Sequence, residues 1–233
     1  MLTHNCDSDP VLRAELEALH LLQKQCRDAL NTLQRNAGKF RASPQAKVDA
    51  CKVILDVTGF PGGVRAVKCS GVIAVLCKLL RDGYRNEKEA AADVLARLAA
   101  EEQCRAAVAE GGTIETLIHM LRPDNVSTSS SPSSRSSAAL ALANISSDAV
   151  YAVRVTELQG HVNLARLLQA KSPGERAAAC MALGNMAVVP RLSALIGAHP
   201  LNPIASLVDI LQTVLTVSVC GWVGVVYRYV YMY

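Results

Sequence analysis

One sequence motif occurs four times between residues 43 and 212 and constrains the fold more than any other feature. Each copy reads Ala-small-x-x-aliphatic-x-x-aliphatic, which places its small and aliphatic side chains on one face of a helix. The first alanines stand at positions 50, 91, 138 and 179, so successive copies are 41, 47 and 41 residues apart. A period of this length predicts a protein built from stacked helical units. The four copies are Ala50, Cys51, Ile54 and Val57; Ala91, Ala92, Leu95 and Leu98; Ala138, Ala139, Leu142 and Ile145; Ala179, Cys180, Leu183 and Met186.

A second motif follows each copy, in which a Gly, or in the last copy a Pro, precedes aliphatic residues with helical spacing. We expect the glycine to form the sharp bend before a helix, because Gly adopts unusual backbone conformations at little cost. One unit cannot bury its own apolar face, so contacts between neighbouring units must hold the array together. The second motifs are Gly71 with Ile73, Leu76, Leu79 and Leu80; Gly112 with Ile114, Leu117, Met120 and Leu121; Gly160 with Val162, Leu164, Leu167 and Leu168; Pro203 with Ile204, Leu207, Ile210 and Leu211.

The step lengths and the residues of these motifs resemble those of the armadillo repeat family. The residues that carry the resemblance are the segments 110–117 (EGGTIETL), 139–145 (ALALANI) and 182–187 (ALGNMA). The resemblance covers about residues 43–212, and the Gly-Gly-x-Ile bend favours armadillo over the related HEAT repeat. It implies an all-α fold, a right-handed armadillo-type α-solenoid of about four repeats with an N-terminal capping helix.

Residues 1–42 are predicted to form an amphipathic helix that begins after Asp9, with Pro10 in its first turn. A solenoid needs a cap at each end, so we expect this helix to cover the first repeat. A coiled-coil strand that binds a partner is the alternative. The apolar stripe is Leu12, Leu16, Leu19, Cys26, Leu30 and Leu33, with Gln23 at its polar position.

A serine-rich stretch at residues 127–137 accounts for the longer 47-residue step. Its composition predicts a flexible surface loop between two repeats, because it offers nothing to bury. Ser131, followed by Pro132, is the candidate phosphorylation site. An inert linker is the alternative interpretation.

The repeat pattern stops at residue 212, and residues 213–233 form an apolar tail rich in β-branched and aromatic side chains. Residues 210–227 carry no charge, so a membrane anchor is one interpretation. A second is that the tail is not native sequence and that further repeats follow in the native product. A third is a genuine strand or packing segment.

The composition argues against several classes of function. With 24 basic and 20 acidic residues and no basic cluster, the chain lacks the charge pattern of a nucleic-acid-binding protein. None of the eight cysteines forms a Cys-x-x-Cys pair, and residues 1–10 lack a signal-peptide core, so we expect reduced thiols in the cytoplasm or nucleus. The five histidines are scattered and no phosphate-binding loop is present, so we expect no enzyme activity, cofactor or metal site.

The armadillo resemblance also implies a binding surface, because the helices with the Ala-Leu-x-Asn motif line the concave face of such solenoids. Asn144 and Asn185 would then pair with the main chain of an extended peptide. The alternative is that both asparagines simply face water. Nuclear-import receptors of this family carry Trp one turn earlier, and this chain does not. In the first two repeats, the residues equivalent to Asn144 and Asn185 are Asp56 and Arg97. One turn earlier on the four helices stand Lys52, Asp93, Leu140 and Met181.

The sequence therefore predicts a scaffold or adaptor that holds an extended segment of a protein partner in a concave groove. Two other functions stay open. One is an adaptor tethered to a membrane by the segment 210–227. The other is a nuclear transport adaptor, which the missing Trp residues disfavour.

Overall fold

The structure is a computed structural model that describes residues 10–35, 43–122, 131–198 and 203. Within these ranges every regular element is a helix, which confirms the all-α prediction. The predictions for Asp9, for the start of the serine-rich stretch, for Ile204 to Leu211 and for the tail at 213–233 lie outside the described residues. The segment 210–227, proposed as a membrane anchor, lies outside them as well.

The chain divides into two compact units, which meet in sequence between Gly111 and Gly112. In the first unit α5 packs on α2 and α4, and α6 packs on α5. Its helices are α1 (Pro10–Gln34), α2 (Pro44–Thr58), α3 (Gly63–Cys69), α4 (Val72–Asp82), α5 (Arg85–Ala99) and α6 (Glu102–Ala109).

The second unit follows the same plan. Here α11 packs extensively on α8, while α7 and α10 pack on α8 and α11 respectively. Its helices are α7 (Thr113–Met120), α8 (Pro132–Ile145), α9 (Ala149–Glu157), α10 (Gly160–Leu167), α11 (Pro173–Ala187) and α12 (Pro190–Gly197).

The repeated alanine motif lies on α2, α5, α8 and α11, which we call the motif helices. All of its residues are buried except Cys180, which is half-buried. The paired alanines let adjacent motif helices approach closely, and each buried Leu or Ile stabilises the fold by about 1.5–3 kcal/mol relative to exposure. The predicted helical register is therefore confirmed in all four copies.

Helix α1 forms the N-terminal cap that the sequence predicts, because it packs against α2, α3 and α4. Its buried stripe differs from the predicted one. Cys26 and Leu33 are buried as expected, but Leu22 and Ala29 are buried too, while Leu19 and Leu30 are only half-buried. The face that meets the first unit is therefore turned slightly from the predicted stripe. The side chains of Leu12 and Leu16 lie outside the described residues.

The bends before the second motifs agree with the prediction in two copies and correct it in the third. Gly71 and Gly112 adopt left-handed backbone conformations, with φ of 74° and 79°. In the third copy the left-handed residue is Gln159, with φ of 60°, and not Gly160. Gly160 is instead the first residue of α10 and is buried; a Cβ there would lie 2.6 Å from Cγ1 of Val155. Its small size, rather than its backbone freedom, is what the structure needs.

The predicted flexible loop at 127–137 is wrong over its second half. Helix α8 begins at Pro132, and Ser131 is its N-cap, with the side chain accepting a hydrogen bond from the Ser134 amide at 3.0 Å. Ser134 and Ser137 are buried. A serine N-cap followed by proline at the first helical position is a strong start signal, and it outweighs the loop-like composition.

Candidate functional site

The predicted binding residues all lie on the motif helices, two on each. In the first unit, Lys52 and Asp56 of α2 and Arg97 of α5 are exposed, while Asp93 of α5 is half-buried. This part of the surface is charged but balanced, with two cations and two anions. Lys52 already lies 3.5 Å from the carboxylate of Asp49 on the same helix. That pair is exposed and stabilises the fold by no more than about 1 kcal/mol.

In the second unit the equivalent residues are uncharged. Leu140 on α8 is exposed, and Asn144, Met181 and Asn185 are half-buried on α8 and α11. An aliphatic and a thioether side chain thus lie one turn before two side-chain amides. This surface can offer hydrogen bonds to a main chain together with apolar contact to a side chain.

Asn185 has a structural contact that the sequence did not predict. Its side-chain Nδ2 donates to the carbonyl oxygen of Ala143 on α8, at 2.8 Å. Ala143 lies in the last turn of α8, where carbonyls lose their partners within the helix. Asn185 therefore joins the two motif helices of this unit. The bond uses one N–H of the amide and leaves a second N–H and the oxygen of Asn185 for other partners.

Sequence reasoning also missed a buried ion pair that occurs once in each unit. In the first unit Lys47 Nζ of α2 lies 3.5 Å from Glu87 Oε1 of α5. In the second unit Nε of Arg135 on α8 donates to Glu175 Oε1 on α11. A sequence signal was present, because a basic residue stands four positions after every N-cap of a motif helix. These residues are Lys47, Lys88, Arg135 and Arg176.

The geometry of the two ion pairs differs. Glu87 uses its other oxygen to accept the backbone N–H of Tyr84 at 2.7 Å, so it caps α5 while it faces Lys47. The Lys47–Glu87 distance is longer than a well-formed hydrogen bond. Each pair joins the first turns of two adjacent motif helices, and both glutamates are almost fully buried. The pairs therefore fix how neighbouring motif helices align.

The cysteines of the motif helices do not have the properties of nucleophiles. Burial, reinforced by the negative charges of Glu87 and Asp93, raises the pKa of the Cys51 thiol to about 12. Burial likewise raises the pKa of Cys180 to about 11, although Arg176 acts in the opposite direction. Both thiols are protonated at neutral pH, whereas nucleophiles and metal ligands react as thiolates. Within the described ranges, no group of three or more His, Cys, Asp or Glu side chains could hold a metal ion.

Ser131, the predicted phosphorylation site, is half-buried and serves as the N-cap of α8. Its modification stays a prediction. None of the helices in the described part of the chain is both long and apolar enough to cross a membrane.

No protein-family profile matches the sequence, and no curated protein is similar to it. Solved structures are similar in fold. An engineered protein superposes with a TM-score of 0.64 and 21% identity, over 91% of this chain and 86% of its own. A computationally designed armadillo repeat protein for modular peptide recognition gives a TM-score of 0.64 and 19% identity, over 85% and 93% of the two chains.

A third similar structure is a designed armadillo repeat protein in complex with the peptide (KR)4. It has a TM-score of 0.61 and 19% identity, over 87% of this chain and 95% of its own. At these identities the likeness establishes the fold alone. The helices, the buried alanine motif and these superpositions agree, and the chain has an armadillo-type α-solenoid fold.

Proposed function

We propose that this chain is a non-enzymatic scaffold of the cytoplasm or nucleus that holds an extended segment of a partner protein along its motif helices. The observation that carries the proposal is the arrangement of equivalent side chains on these four helices. Each presents one residue at the position of Asn185 and one a turn earlier. Within each unit the two motif helices pack side by side, so these positions can contact neighbouring residues of an extended peptide.

The similar solved structures support the same function in general terms. One is a design for modular peptide recognition, and another is in complex with a peptide. The peptide (KR)4 is strongly basic, whereas the motif helices here offer balanced charges in the first unit and uncharged side chains in the second. We therefore expect this chain to prefer a segment of mixed charge that contains aliphatic residues.

The second unit is the place where main-chain recognition is expected. Leu140 and Met181 supply apolar contact, and the remaining hydrogen-bonding capacity of Asn185 lies one turn away. A peptide amide presents one donor and one acceptor at each residue, which a carboxamide can match whatever the peptide sequence. Side-chain preference would come from the charged residues of the first unit.

The test starts from a random dodecapeptide display library, from which binders of the wild-type chain are selected. Fluorescence anisotropy then compares wild type with the double variant Asn144→Ala, Asn185→Ala. We expect the affinity of selected peptides to fall about tenfold, which corresponds to the net loss of one or two hydrogen bonds. Asn31→Ala, an exposed asparagine on α1 outside the motif helices, is the matched control.

Stability must be measured alongside binding, because Asn185 also bonds to Ala143. We expect Asn185→Ala to lower the free energy of unfolding by about 1 kcal/mol, and binding is therefore compared well below the unfolding midpoint. Selected peptides that bind the wild type and the double variant equally would remove Asn144 and Asn185 from the binding surface.

A further inference from the structure

The first motif helix, α2, has an open side at a position where α5 and α11 are covered. Val53, Val94 and Ala182 occupy equivalent positions of the repeat. Val94 and Ala182 are 1% and 0% exposed, but Val53 is 39% exposed. Helix α5 packs on α2, and α11 packs on α8. We conclude that this position faces the preceding motif helix, and that α1 does not replace such a helix at Val53.

The open side of α2 forms a concavity of about 510 Å³, which we call the N-terminal concavity. Val53, Asp56, Gly59 and Phe60 line it from the end of α2 and the turn that follows, and Gln25 lines it from α1. Phe60 is 57% exposed, which is unusually high for a large aromatic side chain. The concavity therefore combines apolar area with one carboxylate.

The carboxylate of Asp56 indicates which charge an occupant of the concavity should carry. At the equivalent position of the second unit, Asn185 donates to the carbonyl of Ala143 on the preceding motif helix. A carboxylate can only accept, so the exposed Asp56 would favour an occupant that brings a donor or a cation to that place. The nearest cation on α2 is Lys52, which is already paired with Asp49. From α1, the lining residue is the neutral Gln25.

We propose that the N-terminal concavity is a docking site for an amphipathic helix of a partner protein, which takes the place of a preceding motif helix. Aliphatic side chains of that helix cover Val53 and Phe60, and a Lys or Arg side chain pairs with Asp56. The partner helix would pack on α2 as α2 packs on α5. The negative charge of Asp56 favours an occupant with a basic residue at that place. The concavity shares Asp56 with the array of the proposed function, but its test uses helical peptides and does not require that an extended peptide binds along the motif helices.

The probes for the test are two helical peptides of about 20 residues with the same leucine stripe, one flanked by lysines and the other by glutamates. Fluorescence anisotropy measures their affinity for the full chain. We expect the lysine peptide to bind at least about tenfold more tightly than the glutamate peptide. Asp56→Lys should reverse this preference, and Phe60→Ser should weaken binding of both peptides. Both residues are exposed, so both variants are expected to fold.

Asp82→Lys is the matched control, because it makes the same charge change on an exposed residue of the first unit outside the concavity. A loss of lysine-peptide affinity equal to that of Asp56→Lys would show general electrostatic attraction and overturn the proposal. Self-association of the chain that Phe60→Ser abolishes would overturn the proposal in favour of a second copy as the occupant. Stronger peptide binding after deletion of residues 1–9 would overturn it in favour of the chain's own N-terminal segment. Variants of Asn144 and Asn185 leave this site intact, so failure here and failure of the proposed function are distinguishable.

Discussion

The two units share one packing scheme but differ in the chemistry they expose. Both bury the alanine motif, and both join their motif helices by a lysine or arginine paired with a glutamate at the start of the helix. The candidate binding positions, which are exposed or half-buried, are charged in the first unit and uncharged in the second. The packing positions thus carry the fold, because a poorly fitting side chain in a close-packed core costs stability. Under the proposed function, the candidate binding positions would determine which partner binds.

The largest expected effect comes from Leu142→Asp, which would bury a charge in the core of the second unit. Leu142 is fully buried on α8, and α8 packs against α7, α9 and α11. We expect the free energy of unfolding to fall by about 4 kcal/mol or more, with loss of hydrogen-exchange protection in all four helices. Leu140→Asp on the same helix is the control and should cost less than about 1 kcal/mol, since Leu140 is exposed. Equal effects of the two substitutions would show that the helical register of α8 is wrong.

Removing the glutamate of each ion pair should destabilise the first unit more than the second. Glu87→Gln removes the carboxylate that faces Lys47, whose side chain is only 6% exposed, and we expect a cost of about 3 kcal/mol. Glu175→Gln should cost about 1.5–2 kcal/mol, because the Arg135 side chain is 20% exposed and can reach water. Chemical denaturation of both variants measures the difference. A larger loss for Glu175→Gln would mean that hydrogen-bond geometry outweighs burial in these pairs.

The smallest expected effect concerns the bend before α10, where a glutamine occupies the left-handed position that glycine holds at the equivalent bends. Gln159 holds a left-handed conformation that favours glycine. Gln159→Gly should therefore raise the free energy of unfolding by about 0.5–1 kcal/mol, and Gly112→Gln, at the equivalent bend, should lower it by about 1 kcal/mol. Thermal denaturation of the two variants shows whether the bends are equivalent. A destabilising Gln159→Gly would indicate that the side chain of Gln159 makes a contact worth more than the backbone strain.

The sequence predicted the buried faces well, because helical periodicity and the repeat step both report on packing. Every copy of the alanine motif is found where the spacing placed it. The predicted bend at Gly160 was wrong. The left-handed residue is Gln159, and Gly160 is needed for close packing against Val155. Composition was also a poor guide at Pro132, where a helix start signal follows a serine-rich run.

The ion pairs and the Asn185 bond could not be predicted in the same way. Arg135 and Glu175 lie 40 residues apart, and so do Lys47 and Glu87, so no local pattern joins the partners. They become neighbours only when adjacent motif helices pack side by side. The role of Asn185 in joining α8 and α11 likewise appears only with the packed helices.

Hydrogen exchange of the full chain, with and without a peptide selected from the dodecapeptide library, tests whether an extended peptide lies along the motif helices. We expect slower exchange in α2, α5, α8 and α11 when the peptide is bound, with α4, α7 and α10 unchanged. Slowing confined to α4, α7 and α10 would place the peptide on different helices and overturn the proposed function.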